Sequence, residues 1–431
     1  MNPAADWAAT VLTAAALVLT LAGVAAFGVL LKGCLVLRRL RRRNPDESGN
    51  VLLKSPLVPA VSVLAVCRDA SPDARAFVRR LLCLDFGRSE TVLVLENPGE
   101  AGREAWSSEF RLRRSSRVGG TLASAKVRAV YQSLDPVRMV VVETEVGRRS
   151  ESWNAAANAA QSPLLAVFDP ASEFPQDALL TLIRPMLEDP AGTVAVCGGA
   201  PGPLGESWAA RFWGLEEIRI WLGRAAAAAG WDRLGPFPGS ALLVRKDAIE
   251  EAGGFRDGSL DTVLAVRKRR PAAGKPAHVA LVPDPVAYCR SPRSVAELHR
   301  TIGRDQHALA RAVRMEGLGG MGWVLPGLVG WRLLLPVIET GAYLVLAAAV
   351  FTGHASGTSI GLVFMATLGT GALVSMAAVV LRELAQYEAS DPSELVKLFA
   401  AAMLEGLGYR QLRNLWLIAD FFGKGDITAG A

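Results

Sequence analysis

The chain is poor in the residues that build metal cages and covalent cross-links. Its 431 residues include five cysteines and four histidines. Cys34, Cys67, Cys83, Cys197 and Cys289 are odd in number and widely spaced, with no CxxC. That pattern excludes a zinc ribbon and a disulfide framework. It reads as buried apolar thiols in a reducing compartment. His278, His299, His307 and His354 are scattered, which excludes a histidine-based metal cage. No internal repeat is visible, which excludes a solenoid. Apolar residues, by contrast, make up 51% of the chain, and the formal net charge is +6. A basic excess suits nucleic acid, anionic lipid or a phosphorylated ligand, and the position of the charges decides between them.

Residues 9–37 form one apolar stretch interrupted only by Lys32 near its end. It is long enough to span a bilayer. No basic region precedes it, so a retained transmembrane helix is favoured over a signal peptide. RRLRRR follows at 38–43, and five arginines beside an apolar helix mark the cytoplasmic side. That placement argues for a membrane and against a nucleic-acid-binding arm. Two further spans are expected over 333–351 and 359–381, joined by FTGHASGT. Trp323 and Trp331 suit an interfacial segment before them. Residues 393–424, apolar but studded with charge, read as helix lying on the membrane or packed on the domain. Glu339 sits inside a span, where an acid needs a partner. Arg332, seven residues before it, is a candidate.

Between the membrane segments the pattern changes. Apolar runs at 61–67, 91–96, 138–144, 164–169 and 193–199 alternate with helical stretches such as 72–84. Continuous apolar strands alternating with helices predict an α/β domain with a mostly parallel sheet covered on both faces. Ligands of such sheets sit beyond the carboxyl ends of the strands. Glu96 and Asp169 fall at those ends. The expected organisation is a transmembrane helix with basic flank (1–43), a linker (44–60), the α/β domain (61–310), an interfacial segment with two spans (311–390), and an amphipathic tail (391–431).

Five stretches carry chemistry. PAVSVLAVCRDASPDA places Arg68 and Asp69 after the first strand, and VLVLENPGE places Glu96 and Asn97 after the second. RRSESWNAAANAA (148–160) leads a helix into LLAVFDPASEFPQDALL, with Asp169 but Ala171 two residues on. GSALLVRKDAIEEAGGF is followed by Leu260 and Asp261 at the start of a helix. SVAELHRTIGRDQHALARAV carries Thr301, Arg304 and Asp305. Each has a plain structural reading as well: Asn154 as a helix-start residue, and Asp261 as an acid favoured by a helix dipole.

Taken together these stretches, and the order of spans around them, resemble membrane-bound glycosyltransferases of family 2, the group of cellulose, hyaluronan and poly-N-acetylglucosamine synthases. The resemblance covers about residues 59–418. It implies a GT-A-like cytoplasmic domain at the inner membrane, flanked by one N-terminal and two C-terminal transmembrane helices. It implies an inverting transfer of a sugar from a nucleotide-sugar donor to a polysaccharide or lipid acceptor. By motif position, Glu96, Asn97, Asn154 and Arg304 would bind the donor. Asp169 would hold Mg2+ or Mn2+, with Glu173 a substitute second ligand, and Asp261 would be the general base. Membrane lipids and subunits of a polysaccharide-export complex would be partners; nucleic acid would not. The match is thinned: Ala171 replaces the second acid of the metal motif, Leu260 the acid before the base, and Thr301 and Asp305 the glutamine and tryptophan of the QxxRW motif. A catalytically inactive homologue that scaffolds or regulates such a complex is therefore the alternative.

Overall fold

The computed structural model describes residues 3–43, 58–116, 119–134, 138–228, 240–282, 284, 286–317, 324–385 and 391–423. Most of the expected linker, through residue 57, and Trp323 lie outside the described residues. The chain divides into two compact units. One, the sheet unit, comprises Leu40–Ala200 and Gly235–Arg290. The other, the helical unit, comprises Met1–Arg39, Pro201–Leu234 and Ser291–Ala431. The helices Trp208–Ala228 and Val295–Glu316 thus group with the apolar helices; the first, and the second as far as residue 310, fall within the expected 61–310. The reason is chemical: their buried polar groups find partners in the C-terminal helices, as shown below.

The sheet unit holds strands β1 (Val61–Cys67), β2 (Ser89–Glu96), β3 (Leu112–Ser115), β4 (Val127–Ser133), β5 (Met139–Thr144), β6 (Leu164–Phe168), β7 (Ser172–Glu173), β8 (Thr193–Gly198), β9 (Ala200–Pro201), β10 (Ala241–Arg245), β11 (His278–Leu281) and β12 (Tyr288–Cys289). Nine form one sheet in the order β11-β8-β10-β6-β1-β2-β5-β4-β3, and β7-β12-β9 form a small second sheet. β1 runs parallel to β2 and β6, β2 to β5, and β11 to β8. β10 is antiparallel to both neighbours, as are β4 to β5 and β3 to β4. The five apolar runs read as strands are β1, β2, β5, β6 and β8. β4 escaped that reading because VRAVYQS is half exposed beside the short edge strand β3 and lacks a continuous apolar run.

One face of the sheet is covered by the helices Pro72–Leu82, Gly99–Phe110 and Ala178–Glu188. Phe77, Trp106, Leu182 and Ile183 are buried there against Leu93, Leu95 and Val141. Each such side chain contributes about 1.5–3 kcal/mol. Ser71 starts the first of these helices by accepting a hydrogen bond from the Ala74 N–H at 3.2 Å, with Pro72 at the first helical position. The opposite face carries the helix Arg149–Ala159, whose alanines 155–157 let it approach closely.

In the helical unit three helices are long and apolar enough to cross a membrane: Asp6–Leu40, Gly327–Phe351 and Gly357–Ala385. Leu12 packs with Leu346 and Val363, and Ala16 and Leu19 with Ala366, so all three share contacts. The Trp208–Ala228 helix lies against the first of them at Gly33. A Cβ there would sit 2.0 Å from the Leu222 carbonyl oxygen, a position only glycine allows. Both C-terminal apolar helices contain a π-turn, at Gly330–Leu334 and Met365–Gly369. The expected C-terminal helix is two, Pro392–Leu404 and Tyr409–Phe422, separated at Gly408 with φ +120°.

Glu339 is buried and paired, but not with Arg332. Its partner is Arg410, Nε to Oε1 3.0 Å, on the Tyr409–Phe422 helix. Arg332 instead meets Asp305 at 3.5 Å. Arg332 lies within the π-turn Gly330–Leu334, whose wider turn moves it off the Glu339 face. A larger charged cluster lies nearby in chain terms. Arg219 donates to both oxygens of Glu405 at 2.9 Å and to Ser375 at 2.6 Å; Arg413 donates to Glu216 at 2.6 Å. Burial raises the Glu216 carboxyl pKa, but Arg413 and Arg219 outweigh it and hold the group at about 2.

A carboxyl held below its unfolded value of about 4.3 stabilises the fold above that pH and stops doing so as pH falls toward 2. Thermal unfolding of detergent-solubilised protein should show this loss between about pH 4.3 and 2. Glu216→Gln should lower stability at neutral pH by about 3 kcal/mol, since it takes the carboxylate from the part-buried Arg413 while Arg219 keeps Glu405. A variant as stable as the parent at pH 7 contradicts this account of the cluster.

Candidate functional site

The strand register gathers the sequence-selected acids on one edge of the sheet. Cys67 pairs with Leu95, Glu96 with Thr144 and Phe168 with Ala241. Arg68, Glu96, Thr144 and Asp169 therefore close parallel strands on one carboxyl edge, and Ser240, just before the antiparallel β10, lies on the same edge. β1 separates β2 from β6, so Glu96 and Asp169 lie two strands apart across it.

Glu96 is 4% exposed. Arg68 Nε donates to its Oε2 at 2.9 Å, and the Ser152 hydroxyl donates to Oε1. A buried carboxylate needs such partners. The next residue, Asn97, takes a left-handed backbone with φ 46°, which asparagine tolerates better than most. Its N–H donates to the Thr144 carbonyl at 2.9 Å, and its Oδ1 accepts from Arg128 at 2.8 Å. Asn97 itself is exposed, so the strand end presents an amide oxygen and two half-exposed guanidinium groups around a buried acid.

Asn154 is buried and bridges two segments. Its Nδ2 donates to the Ala123 carbonyl at 2.8 Å and its Oδ1 accepts from the Phe255 N–H at 2.7 Å. Gly254, at φ +102°, passes so close that a Cβ would lie 2.6 Å from the Asn154 amide. The Ser150 N–H adds a bond to Asp257 Oδ1 at 3.0 Å. One helix, Arg149–Ala159, thus holds Glu96 through Ser152 and the 254–257 turn through Ser150 and Asn154. Four residues after that turn is Asp261, 4% exposed in the first turn of the helix Ser259–Ala272. Its neighbour Thr262 ties the turn together, accepting from the Arg256 N–H at 3.0 Å and donating to the Gly258 carbonyl at 2.9 Å.

Asp169 is exposed at the end of β6. Its N–H donates to the Ser240 carbonyl at 2.8 Å, and its Oδ1 accepts from the Ala171 N–H at 2.9 Å. The carboxylate thus braces its own turn. Arg80 braces it from outside, donating to the Ser172 carbonyl at 3.0 Å and the Pro170 carbonyl at 3.3 Å. Glu173, the substitute ligand, is exposed on β7 in register with Tyr288. Among the described residues no three His, Cys, Asp or Glu side chains come together as a metal site. A divalent cation prefers several oxygen ligands. One carboxylate, half spent on a turn, does not fit a cation held by the protein.

Arg304 belongs to the helical unit. It is exposed on the helix Val295–Glu316, with Thr301 Oγ1 at 3.5 Å. Sequence reasoning missed Ser152, Arg80 and Arg128. Arg128 lies on β4, the strand that pattern alone did not reveal. Ser152 and Arg80 act through tertiary contacts that leave no local signal.

No family model matches the chain, and no curated protein does. Among solved structures it is similar to the mannosyltransferase PcManGT from Pyrobaculum calidifontis, solved in complex with GDP-Man and Mn2+. The TM-score is 0.53 at 17% identity, covering 92% of this chain and 99% of that one. The fold is GT-A-like. Two more distant matches are S. aureus TarS 1–349, with TM-score 0.36, 12% identity and coverage of 82% and 91%, and glucosyl-3-phosphoglycerate synthase from Mycobacterium tuberculosis. The latter has TM-score 0.37, 12% identity and coverage of 63% and 83%. Likeness at these identities extends to the fold and no further.

The Asn154 bridge makes a stability prediction. Asn154→Ala leaves a buried N–H and a buried carbonyl without partners, at about 1–3 kcal/mol each. Chemical unfolding with no nucleotide present should therefore show a clear loss, and Gly254→Ala a comparable one. Unchanged stability in both variants means the bridge does not hold the turn.

Proposed function

We propose that the chain is an inverting membrane glycosyltransferase, moving a sugar from a nucleotide-sugar donor to a polysaccharide or lipid acceptor. The observation that carries the reading is the GT-A-like sheet with Glu96 and Asp169 on its carboxyl edge and a buried acid, Asp261, on the segment clamped to the same helix. That edge is where open α/β sheets bind ligands. The Glu96–Asn97 end takes the nucleotide part of the donor, and the Asp169 turn faces its sugar. Asp261 takes the proton of the acceptor hydroxyl as its oxygen bonds to the anomeric carbon. The bond from that carbon to the phosphate oxygen breaks, and the nucleoside diphosphate leaves with the electron pair. Three helices long and apolar enough to cross a membrane support a membrane setting, and the arginines at 38–43 support a cytoplasmic side for the residues that follow them. In bacteria this is the inner membrane, where subunits of a polysaccharide-export complex are the natural partners.

A second reading has an observation of its own. Glu96 and Asn154 spend their hydrogen-bonding groups on protein partners, as the fold of a non-catalytic scaffold would require. The two readings part on turnover. Full-length protein in detergent, given UDP- and GDP-sugars, should release nucleoside diphosphate, and Asp261→Asn should lower that rate by about 100-fold or more. No release from any donor by a protein with an intact thermal transition supports the scaffold instead.

A further inference from the structure

We infer that Arg68 and Arg128 bind the donor's diphosphate, and that nucleotide binding by this chain needs no divalent cation. The inference rests on the reading that the carboxyl edge takes a nucleotide. Three observations carry it.

The first is the donor set already described. Ala171 stands where a second acid would be, Asp169 braces its own turn, and Glu173 is exposed on β7. A diphosphate brought to this edge carries negative charge that must be neutralised by something other than carboxylate-held metal. The second is the position of two guanidinium groups. Arg68 is anchored by Nε to Glu96, and Arg128 by one terminal nitrogen to Asn97. Glu96 and Asn97 are consecutive, their Cα atoms about 3.8 Å apart. Two cations are thereby tethered to adjacent points at the end of β2. The third is what the anchoring leaves over. Arg68 is 50% exposed and its two terminal nitrogens have no protein partner among the described residues. Arg128 is 44% exposed, with Nε 3.6 Å from Glu145 and one terminal nitrogen without a partner among the described residues.

A guanidinium held on one edge and open on the other is prepared for phosphate. Its planar fork matches two phosphate oxygens, and its charge does not depend on pH. Glu96 is buried and Arg68 half-exposed, so the positive end of that pair faces outward, while Arg128 is held by the neutral amide of exposed Asn97. The same two groups stabilise the charge that develops on the leaving diphosphate, because they stand in place before the bond breaks. Asn97, held left-handed at φ 46°, sets where the second one stands.

The test is nucleotide binding, read without turnover. UDP and GDP are titrated into the full-length protein in detergent by calorimetry, once with EDTA and once with Mn2+. Binding should be as tight with EDTA as with Mn2+. Arg68→Ala and Arg128→Ala should each weaken it about tenfold or more, the equivalent of about 1.4 kcal/mol. Arg128→Ala is the cleaner variant, since Arg128 is half exposed and anchors to no buried acid. The melting temperature of each nucleotide-free variant shows that the fold is kept. Arg128→Lys should recover only part of the loss, because an ammonium keeps the charge but not the fork. Binding that appears only with Mn2+ overturns the inference and leaves the glycosyltransferase reading standing. Binding in EDTA that neither alanine variant weakens removes these arginines from the site. Absence of binding under both conditions sinks the nucleotide reading itself.

Discussion

A buried carboxylate has to be paired, and that single requirement organises both units of this protein. Glu96 is paired with Arg68 and Ser152, Glu143 with Arg103 and Tyr131, Glu339 with Arg410, Glu405 with Arg219 and Ser375, and Glu216 with Arg413. Apart from the Tyr131–Glu143 bond between consecutive strands, each of these pairs joins residues at least 28 positions apart. Such pairs add little net stability over apolar packing, but losing one partner is costly. Their effect here is to fix which helix meets which. In the sheet unit the Glu96 pair settles the helix Arg149–Ala159 onto the end of β2. In the helical unit the Glu216 and Glu405 pairs settle the Trp208–Ala228 helix onto the C-terminal ones.

Within the sheet unit, the same helix sets the site. Arg149–Ala159 lies flat on β1, β2 and β5 because its inward face is alanine. Its polar residues then point along the carboxyl edge, where Ser152 reaches Glu96 and Asn154 reaches Phe255. The turn after Gly254 can follow only because that residue has no side chain. Asp261 inherits its position from this turn. A site assembled in this way is rigid at its floor and open at its rim, where Asn97, Arg68 and Arg128 remain partly exposed.

The sheet was largely legible in the sequence, because fully buried strands are continuous apolar runs and need no partner information to be seen. β10 was matched as a motif and not as a strand; β3 and β4 were not seen, since an edge hairpin carries mixed residues. Glu96 and Asp169 were legible as acids closing apolar runs. What they do was not. The tie of Glu96 to Ser152 and the spending of Asp169 on Ala171 depend on side-chain direction, which pattern does not encode. Arg332 as the partner of Glu339 rested on helical phase over two turns. A π-turn at Gly330–Leu334 changed that phase, and no residue in GWRLL announces it. Asn154 was open between helix start and ligand contact; it lies inside the helix, bonded to two other segments.

The apolar helices are not inert anchors. A π-turn shifts the backbone ladder and leaves a carbonyl without its usual amide. In an apolar helix that group must be satisfied by protein, because lipid offers no donor. Both π-turns here have such a donor. Gln306, fully buried, donates to the Arg332 carbonyl at 3.1 Å and to the Leu417 carbonyl at 2.9 Å. Arg410 donates to the Thr367 carbonyl at 3.2 Å while holding Glu339. The irregular turns and the helices that serve them therefore stand or fall together. The Val295–Glu316 and Tyr409–Phe422 helices supply the polar groups, and the two C-terminal apolar helices supply the sites that need them. A chain that only had to be tethered would need neither the turns nor the donors.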